Sequence, residues 1–266
     1  MKAIFNLAWR LSLFLLHIIS GLVQELVYYS LYGKNWHTHA AGKRAIQRWM
    51  RQLGFLLGLK ITVSGIPSCF HKTMIVANHI SWLDIIALLS IRDVVFMAKA
   101  EVRKWPVIGL LAAACGTLFI ERGNKTALKQ AIDSLVVPLR QGSTVAIFPE
   151  GTTTDGSTVL PFYSGLFSAA ITTESYIQPV AISYIRLGQP DTIAPYTEKD
   201  TFVSHILKIM SQGSTHIYLD FLPKLRTQTY SRLELAKITR EKIIQSLHGS
   251  SPYAETVLTV PLAKTA

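Results

Sequence analysis

His79 and Asp84 stand five residues apart in Asn78-His79-Ile80-Ser81-Trp82-Leu83-Asp84, directly after the apolar run Met74-Ile75-Val76-Ala77. An imidazole followed by a carboxylate at a strand end supplies the parts of a general base. The acid accepts from one ring nitrogen and fixes the tautomer, and the other nitrogen is left to take a proton from a substrate hydroxyl. On one continuous helix, residues five apart point ~140° apart around the axis. The pair therefore converges only if His79 lies in the turn and Asp84 in the first helical turn after it. A buried histidine satisfied by a neighbouring acid fits the same spacing. The pair alone does not separate the two.

A second constellation breaks the tie. Thr144-Val145-Ala146-Ile147-Phe148 reads as a strand running into Pro149, which cannot extend a ladder, and then into Glu150-Gly151-Thr152-Thr153-Thr154-Asp155-Gly156. Loops at the carboxyl ends of central strands are where α/β folds place ligands. Arg122 ends another candidate strand in Gly116-Thr117-Leu118-Phe119-Ile120-Glu121-Arg122-Gly123, and Lys99 follows the run Val94–Met97. Each would serve equally well as a solvated cation. The chain carries no G-x-S-x-G elbow, no phosphate-cradling P-loop, no G-x-G-x-x-G turn and no H-E-x-x-H pair. No histidine cluster has metal-ligand spacing, so no metal and no cofactor is expected.

The elements that must position these residues alternate between β-rich and helical runs. Strands are predicted at 61–63, 74–77, 94–97, 117–120, 144–148, 177–185 and 216–221, and helices at 83–90, 107–115, 125–140, 165–173, 202–211 and 232–247. Pro106 suits a helix's first position and Gly116 its stop. The pattern predicts an α/β domain over 59–248, with a largely parallel or mixed sheet flanked by helices. Residues 249–266 lack periodicity and are expected to form a flexible tail.

Residues 1–58 are expected to anchor that domain to a membrane. Apolar types make up 49% of the chain and charged ones 16%, with a net charge of +11. Eight Lys or Arg fall within residues 1–60 against a single acid, Glu25, mixed with Trp9, Phe14, Trp36 and Trp49. Basic charge among bulky apolar side chains suits an anionic bilayer surface, whereas a nucleic-acid partner would explain the charge but not the grease. Leu11–Val23 is short and interrupted for a span, which wants about 20 apolar residues. The first 32 residues therefore read as a helix lying in, or dipping into, one leaflet, with a shallow single span as the alternative, followed by an amphipathic helix bearing Lys43, Arg44, Arg48 and Arg51. Cys69 and Cys115, in apolar surroundings, read as packing residues of a reducing compartment.

His79-x4-Asp84, Phe119-Ile120-x-Arg122, Phe148-Pro149-Glu150-Gly151-Thr152 and Ile177-Gln178-Pro179-Val180 occur in the order and spacing of four sequence blocks. In this the chain resembles the PlsC-like glycerophospholipid acyltransferases over about residues 60–190. The resemblance implies acyl transfer from acyl-CoA or acyl carrier protein, as co-substrate, to the free hydroxyl of a lysolipid at a membrane's cytoplasmic face (the inner membrane, if bacterial). It implies His79 as general base oriented by Asp84, with Arg122, Glu150, Gly151 and Thr152 holding the acceptor and Lys99 as a further cation for its phosphate. One departure matters. Members that form phosphatidic acid follow Glu-Gly-Thr with Arg, where this chain has Thr153, and Thr-rich versions of the block occur in lyso-ornithine lipid acyltransferases. The expected acceptor is 1-acylglycerol-3-phosphate, with lyso-ornithine lipid or another lysophospholipid as the alternative. A lipid-binding protein without turnover is the non-enzymatic rival.

Overall fold

The computed structural model describes residues 2–67, 72–121, 123, 125–249 and 258–259. Two helices lead, α1 (Lys2–Tyr32) and α2 (Ala40–Leu56), followed by β1 (Leu59–Gly65), β2 (Thr73–Ala77), α3 (Leu83–Ile91) and β3 (Val95–Lys99). Then come α4 (Ile108–Ala114), β4 (Leu118–Ile120), α5 (Lys125–Arg140), β5 (Thr144–Ile147), α6 (Phe167–Thr172) and β6 (Tyr176–Arg186). A short β7 (Gln189–Pro190) precedes α7 (Phe202–Ser211), β8 (Thr215–Phe221), α8 (Arg232–His248) and β9 (Leu258–Thr259). The predicted strands and helices all form, with ends shifted by a few residues. Three details differ. The helix expected from Val107 starts at Ile108, behind Val107 with φ +64°, so Pro106 lies before the helix rather than inside its first turn. The small strands β7 and β9 were not foreseen, the latter inside the expected tail.

All strands join one sheet in the order β4-β3-β5-β2-β6-β8-β1-β9, with β7 beside β6. From β4 to β6 every pairing is parallel, so the carboxyl ends of β2, β3, β4 and β5 open on one edge. β6 is the pivot: its first half pairs parallel with β2 and its second half antiparallel with β8. Side chains alternate between two apolar layers. Ile75, Ala77, Val180, Ile182 and Tyr184 face the layer of α2, α3 and α7, while Met74, Val76, Val145 and Ile147 face that of α5, α6 and α8.

Helix α1 is not a free-standing span. Its 31 residues form a rod about 46 Å long. One stripe, including Leu7, Leu11, Phe14, Ile18, Leu22 and Tyr28, packs into the same apolar layer as α2 and α3. Polar pins fasten it along its length. Arg10 donates to Met210 O (2.5 Å) and Leu56 O (3.2 Å), His17 stacks on Trp49 at 4.7 Å, and Trp36 Nε1 donates to Glu25 at 2.7 Å. The outer side stays apolar and exposed, with Leu16 at 60%, Leu26 at 66% and Leu31 at 70%. By length and composition, residues Leu7–Tyr32 of this helix are also long and apolar enough to cross a membrane. Either way, its apolar outer side suits association with a membrane.

Gly42 lets the chain fold back between these helices, because a Cβ there would sit 2.2 Å from Trp36 O. Helix propensity alone favours Ala over Gly by about 1 kcal/mol, whereas overpacking costs roughly 1–3 kcal/mol. Gly42→Ala is therefore expected to lower the thermal unfolding midpoint of the detergent-solubilised protein. A rise would show that the backbone yields there freely.

Candidate active site

The turn after β2 is shaped by side chains that substitute for missing ladder bonds. Beyond Ala77 the chain leaves the sheet while β6 continues, which would strand the peptide groups of Ile182. Asn78 satisfies both: its Nδ2 donates to Ile182 O at 2.9 Å and its Oδ1 accepts from Ile182 N at 2.8 Å. His79 follows in the turn, and Asp84 lies in the first turn of α3, the disposition their spacing demands.

Asp84 is fully buried. Its Oδ2 accepts from His79 Nδ1 at 2.8 Å, Ile80 N at 2.9 Å and Ser81 N at 3.0 Å, and its Oδ1 accepts from the Tyr184 hydroxyl at 2.5 Å. With two peptide N–H groups already donating to Oδ2 and a hydroxyl to Oδ1, the carboxylate faces the ring as an acceptor. Nδ1 therefore carries the proton and Nε2 is the basic nitrogen. Among the described residues no hydrogen bond reaches Nε2. The ring lies flat on Phe148, centroids 4.0 Å apart and planes 10° apart, and the side chain keeps 18% of its surface open. The ring is fixed in direction and still reachable.

Glu150 sits on the other side of His79 and is 3% exposed. Its Oε1 accepts from His79 N and its Oε2 from Leu160 N, each at 2.7 Å. Burial pushes its carboxyl above the usual glutamate range, against those two N–H groups and the neighbouring imidazole, which pull the other way. The loop closes as a turn in which Gly151 N donates to Phe148 O at 3.1 Å, with Pro149 second and Gly151 at φ +77°. Thr154 N donates to His79 O, and Tyr196 N to Ile80 O, both at 2.9 Å. Thr153 Oγ1 donates to Tyr196 O at 2.5 Å. Two loops, one bearing Glu150 and Thr154 and the other Tyr196, together with the first turn of α3 thus grip the backbone of residues 79–81.

The other predicted site residues fall as follows. Gly151 and Thr152 lie on this loop, Thr152 exposed. Lys99, exposed, ends β3, two places along the sheet from β2 on the same edge. Arg122 lies outside the described residues, as does Cys69. Cys115 is a free cysteine whose thiol burial pushes up to about 12, in keeping with a packing role. The backbone N–H groups of Ile80, Ser81 and Gly151 are all engaged within the protein. Sequence reasoning missed Tyr184, and no local signal marks it: it lies 100 residues from Asp84 in an apolar strand. It missed the role of Asn78 although that residue adjoins His79.

The turn has one further support. Trp82 Nε1 donates to His205 Nδ1 at 3.0 Å, and His205 Nε2 faces the carbonyls of Ile193 (3.1 Å) and Pro195 (3.0 Å). Only the neutral ring protonated on Nε2 satisfies all three.

The site is thus a partly open imidazole at a strand edge, fixed on a buried acid, on an α/β sheet. Comparison with known proteins names the family. Residues 60–183 match the family model described as Acyltransferase. The chain is 37% identical over 216 residues to a lyso-ornithine lipid O-acyltransferase of Pseudomonas aeruginosa, covering 80% of this chain and 82% of that one. It is 31% identical over 168 residues to a 1-acyl-sn-glycerol-3-phosphate acyltransferase of Neisseria gonorrhoeae, covering 62% and 65%. Its fold is that of the 1-acyl-sn-glycerophosphate acyltransferase PlsC from Thermotoga maritima, with a TM-score of 0.63 at 22% identity over 93% of this chain and 96% of the other. The chain belongs to the PlsC-like acyltransferase family and is an acyltransferase enzyme.

Two outcomes are expected here. Tyr184→Phe leaves Asp84 one donor short inside the core, and a hydrogen bond to a charged group is worth about 1.5–3 kcal/mol. The variant should unfold at correspondingly lower denaturant and keep the His79 tautomer, which three donors still enforce. An unchanged denaturation midpoint would show that Oδ1 has another partner. For His205, burial lowers the ring's affinity for protons below its ordinary 6.5. Above 6.5 neither state is protonated there. As pH falls through that value the unfolded chain takes up the proton first, so stability drops until the folded ring titrates too. His205→Gln should flatten the decline of the melting temperature between about pH 6.5 and 5.

Proposed function

We propose that His79 Nε2 acts as the general base for transfer of a fatty acyl group from an acyl-CoA or acyl carrier protein thioester to the hydroxyl of a lysolipid. The observation that carries this reading is the dyad: a partly open imidazole whose far nitrogen is fixed on a buried carboxylate. An alcohol is a poor nucleophile until its proton is drawn off as it attacks. A positioned base contributes about 10²–10⁴-fold. As the acceptor oxygen bonds to the thioester carbon, its proton passes to Nε2, and the imidazolium so formed is balanced by Asp84 across 2.8 Å. The tetrahedral adduct collapses with cleavage of the C–S bond, and Nε2 returns the proton to the leaving sulfur. No serine and no metal enters the sequence of steps.

The acceptor we favour is a lyso-ornithine lipid, which is a shift from the acceptor the sequence suggested first. Two things support it: the name borne by relatives of 33–38% identity that match most of this chain, and the chemistry of Thr153. Where a guanidinium would meet a phosphomonoester, this chain has a hydroxyl already bound to Tyr196 O. A second reading, 1-acylglycerol-3-phosphate, is supported by Lys99 at the same sheet edge and by the Neisseria relative. We place the enzyme on the cytoplasmic leaflet, where acyl donors are found, with the outer side of α1 among the acyl chains. The exposed Arg44 and Arg48 of α2 suit anionic head groups.

The test is turnover by the purified full-length protein, with acyl-CoA and acyl carrier protein as donors, against lyso-ornithine lipid, 1-acylglycerol-3-phosphate and lysophosphatidylcholine. The first acceptor should be preferred, and His79→Ala should lose about 10²–10⁴-fold in kcat while binding vesicles as before. Equal activity in that variant would refute the base assignment. Fatty acid release indifferent to added lysolipid would mean a hydrolase instead.

A further inference from the structure

The resemblance assigns Glu150 to the acceptor. A carboxylate that grips a substrate must keep an oxygen turned toward it. Glu150 keeps neither: one oxygen accepts from the backbone of His79, the other from the backbone of Leu160, and the residue is 3% exposed. The far end of this clamp is itself held. Arg240 on α8 donates through Nε to Leu160 O at 2.9 Å and Val159 O at 3.1 Å, and through Nη2 to Val159 O at 2.5 Å. Helix α8 packs in the apolar layer on the opposite face of the sheet from α3. A guanidinium forking onto consecutive carbonyls leaves the peptide little freedom.

We infer that Glu150 is a positioning residue for His79 and not a ligand of the acceptor. It is the middle link of a hydrogen-bonded run from Arg240, through the backbone of residues 159–160, to the peptide nitrogen of the base. This inference rests on the reading of His79 as the base. The physical reason for such a run lies in what Asp84 leaves undone. Asp84 sets the ring's rotation and tautomer, whereas where the ring stands relative to the strand edge depends on the backbone of His79. Charged acceptors make the shortest and strongest bonds to N–H groups, and both Glu150 bonds are 2.7 Å. The loop after β5 thereby sets the height of a base that belongs to the turn after β2.

Steady-state kinetics of Glu150→Gln and Arg240→Gln, with the lysolipid varied, separates the two roles. Gln keeps the size of Glu but turns an NH₂ toward one of the two N–H donors, so one end of the clamp must open. A misplacement of 1 Å in a catalytic group can cost ~10²-fold. Glu150→Gln is expected to lose roughly 10²-fold in kcat and Arg240→Gln roughly tenfold, with KM for the lysolipid within about threefold of the parent. A raised KM with kcat preserved would restore Glu150 to the acceptor site and overturn the inference, as would parental values of both. A readout without turnover guards against an unsuitable acceptor: the ¹⁵N imidazole resonances of His79, assigned by their loss in His79→Gln. They should move in both variants, and resonances unmoved in both overturn the inference. If the parent enzyme acylated no lysolipid at all, the proposed function would fall while the spectral arm still judged the relay.

Discussion

Everything at this site answers to the burial of a charged carboxylate. Asp84 is removed from water altogether, and an ion in that position is tolerable only if its lone pairs are filled by well-placed donors. Two of its donors are peptide N–H groups of the turn that carries His79, one is the imidazole, and one is a tyrosine from β6. Compensating the charge and aiming the base are thus the same set of bonds. Loosening the turn would leave the acid short of donors, so a precise catalytic geometry is also what makes the buried acid bearable.

The sheet supplies the frame. Because β2, β3, β4 and β5 run parallel, their carboxyl ends bring together segments far apart in sequence without any long loop. The two apolar layers stiffen this edge from both faces. The layer that receives Tyr184 and α3 also receives the buried stripe of α1, so the outer helix and the active-site helix share one packing. The helix thus turns an apolar, exposed side outward while its inward side joins the layer that also receives His79's partners Asp84 and Tyr184.

Much of the site was legible in the order of residues. The five-residue step from His79 to Asp84 admits convergence only across a turn into a helix, and that is what forms. Pro149 and Gly151 announce the second turn by their backbone preferences alone. The strands and helices were readable because apolar periodicity reflects which face is buried, a local property of the chain. Where the reading stopped, the cause is equally physical. The helix after Pro106 starts later because Val107, at φ +64°, lies outside helical backbone in a tight turn where Ile108 N donates to Pro106 O, and β7 and β9 are two-residue pairings with no pattern to betray them.

Residue type and spacing by themselves determined the chemistry available here: an imidazole and an acid that must meet at a strand end, beside a polar loop, on a chain whose leading segment is basic and greasy. Only the tertiary structure completed the set of partners around each carboxylate. Spacing already paired Asp84 with His79, but nothing in the sequence told what Glu150 holds; the fold gives Asp84 a tyrosine hydroxyl besides the ring and the turn, and gives Glu150 two peptide nitrogens. It also brings Tyr184 and Arg240 to bear on His79 from remote elements. Such partners are invisible to local patterns because hydrogen-bond geometry depends on distances in space, and those exist only once the sheet has closed and its two faces are covered.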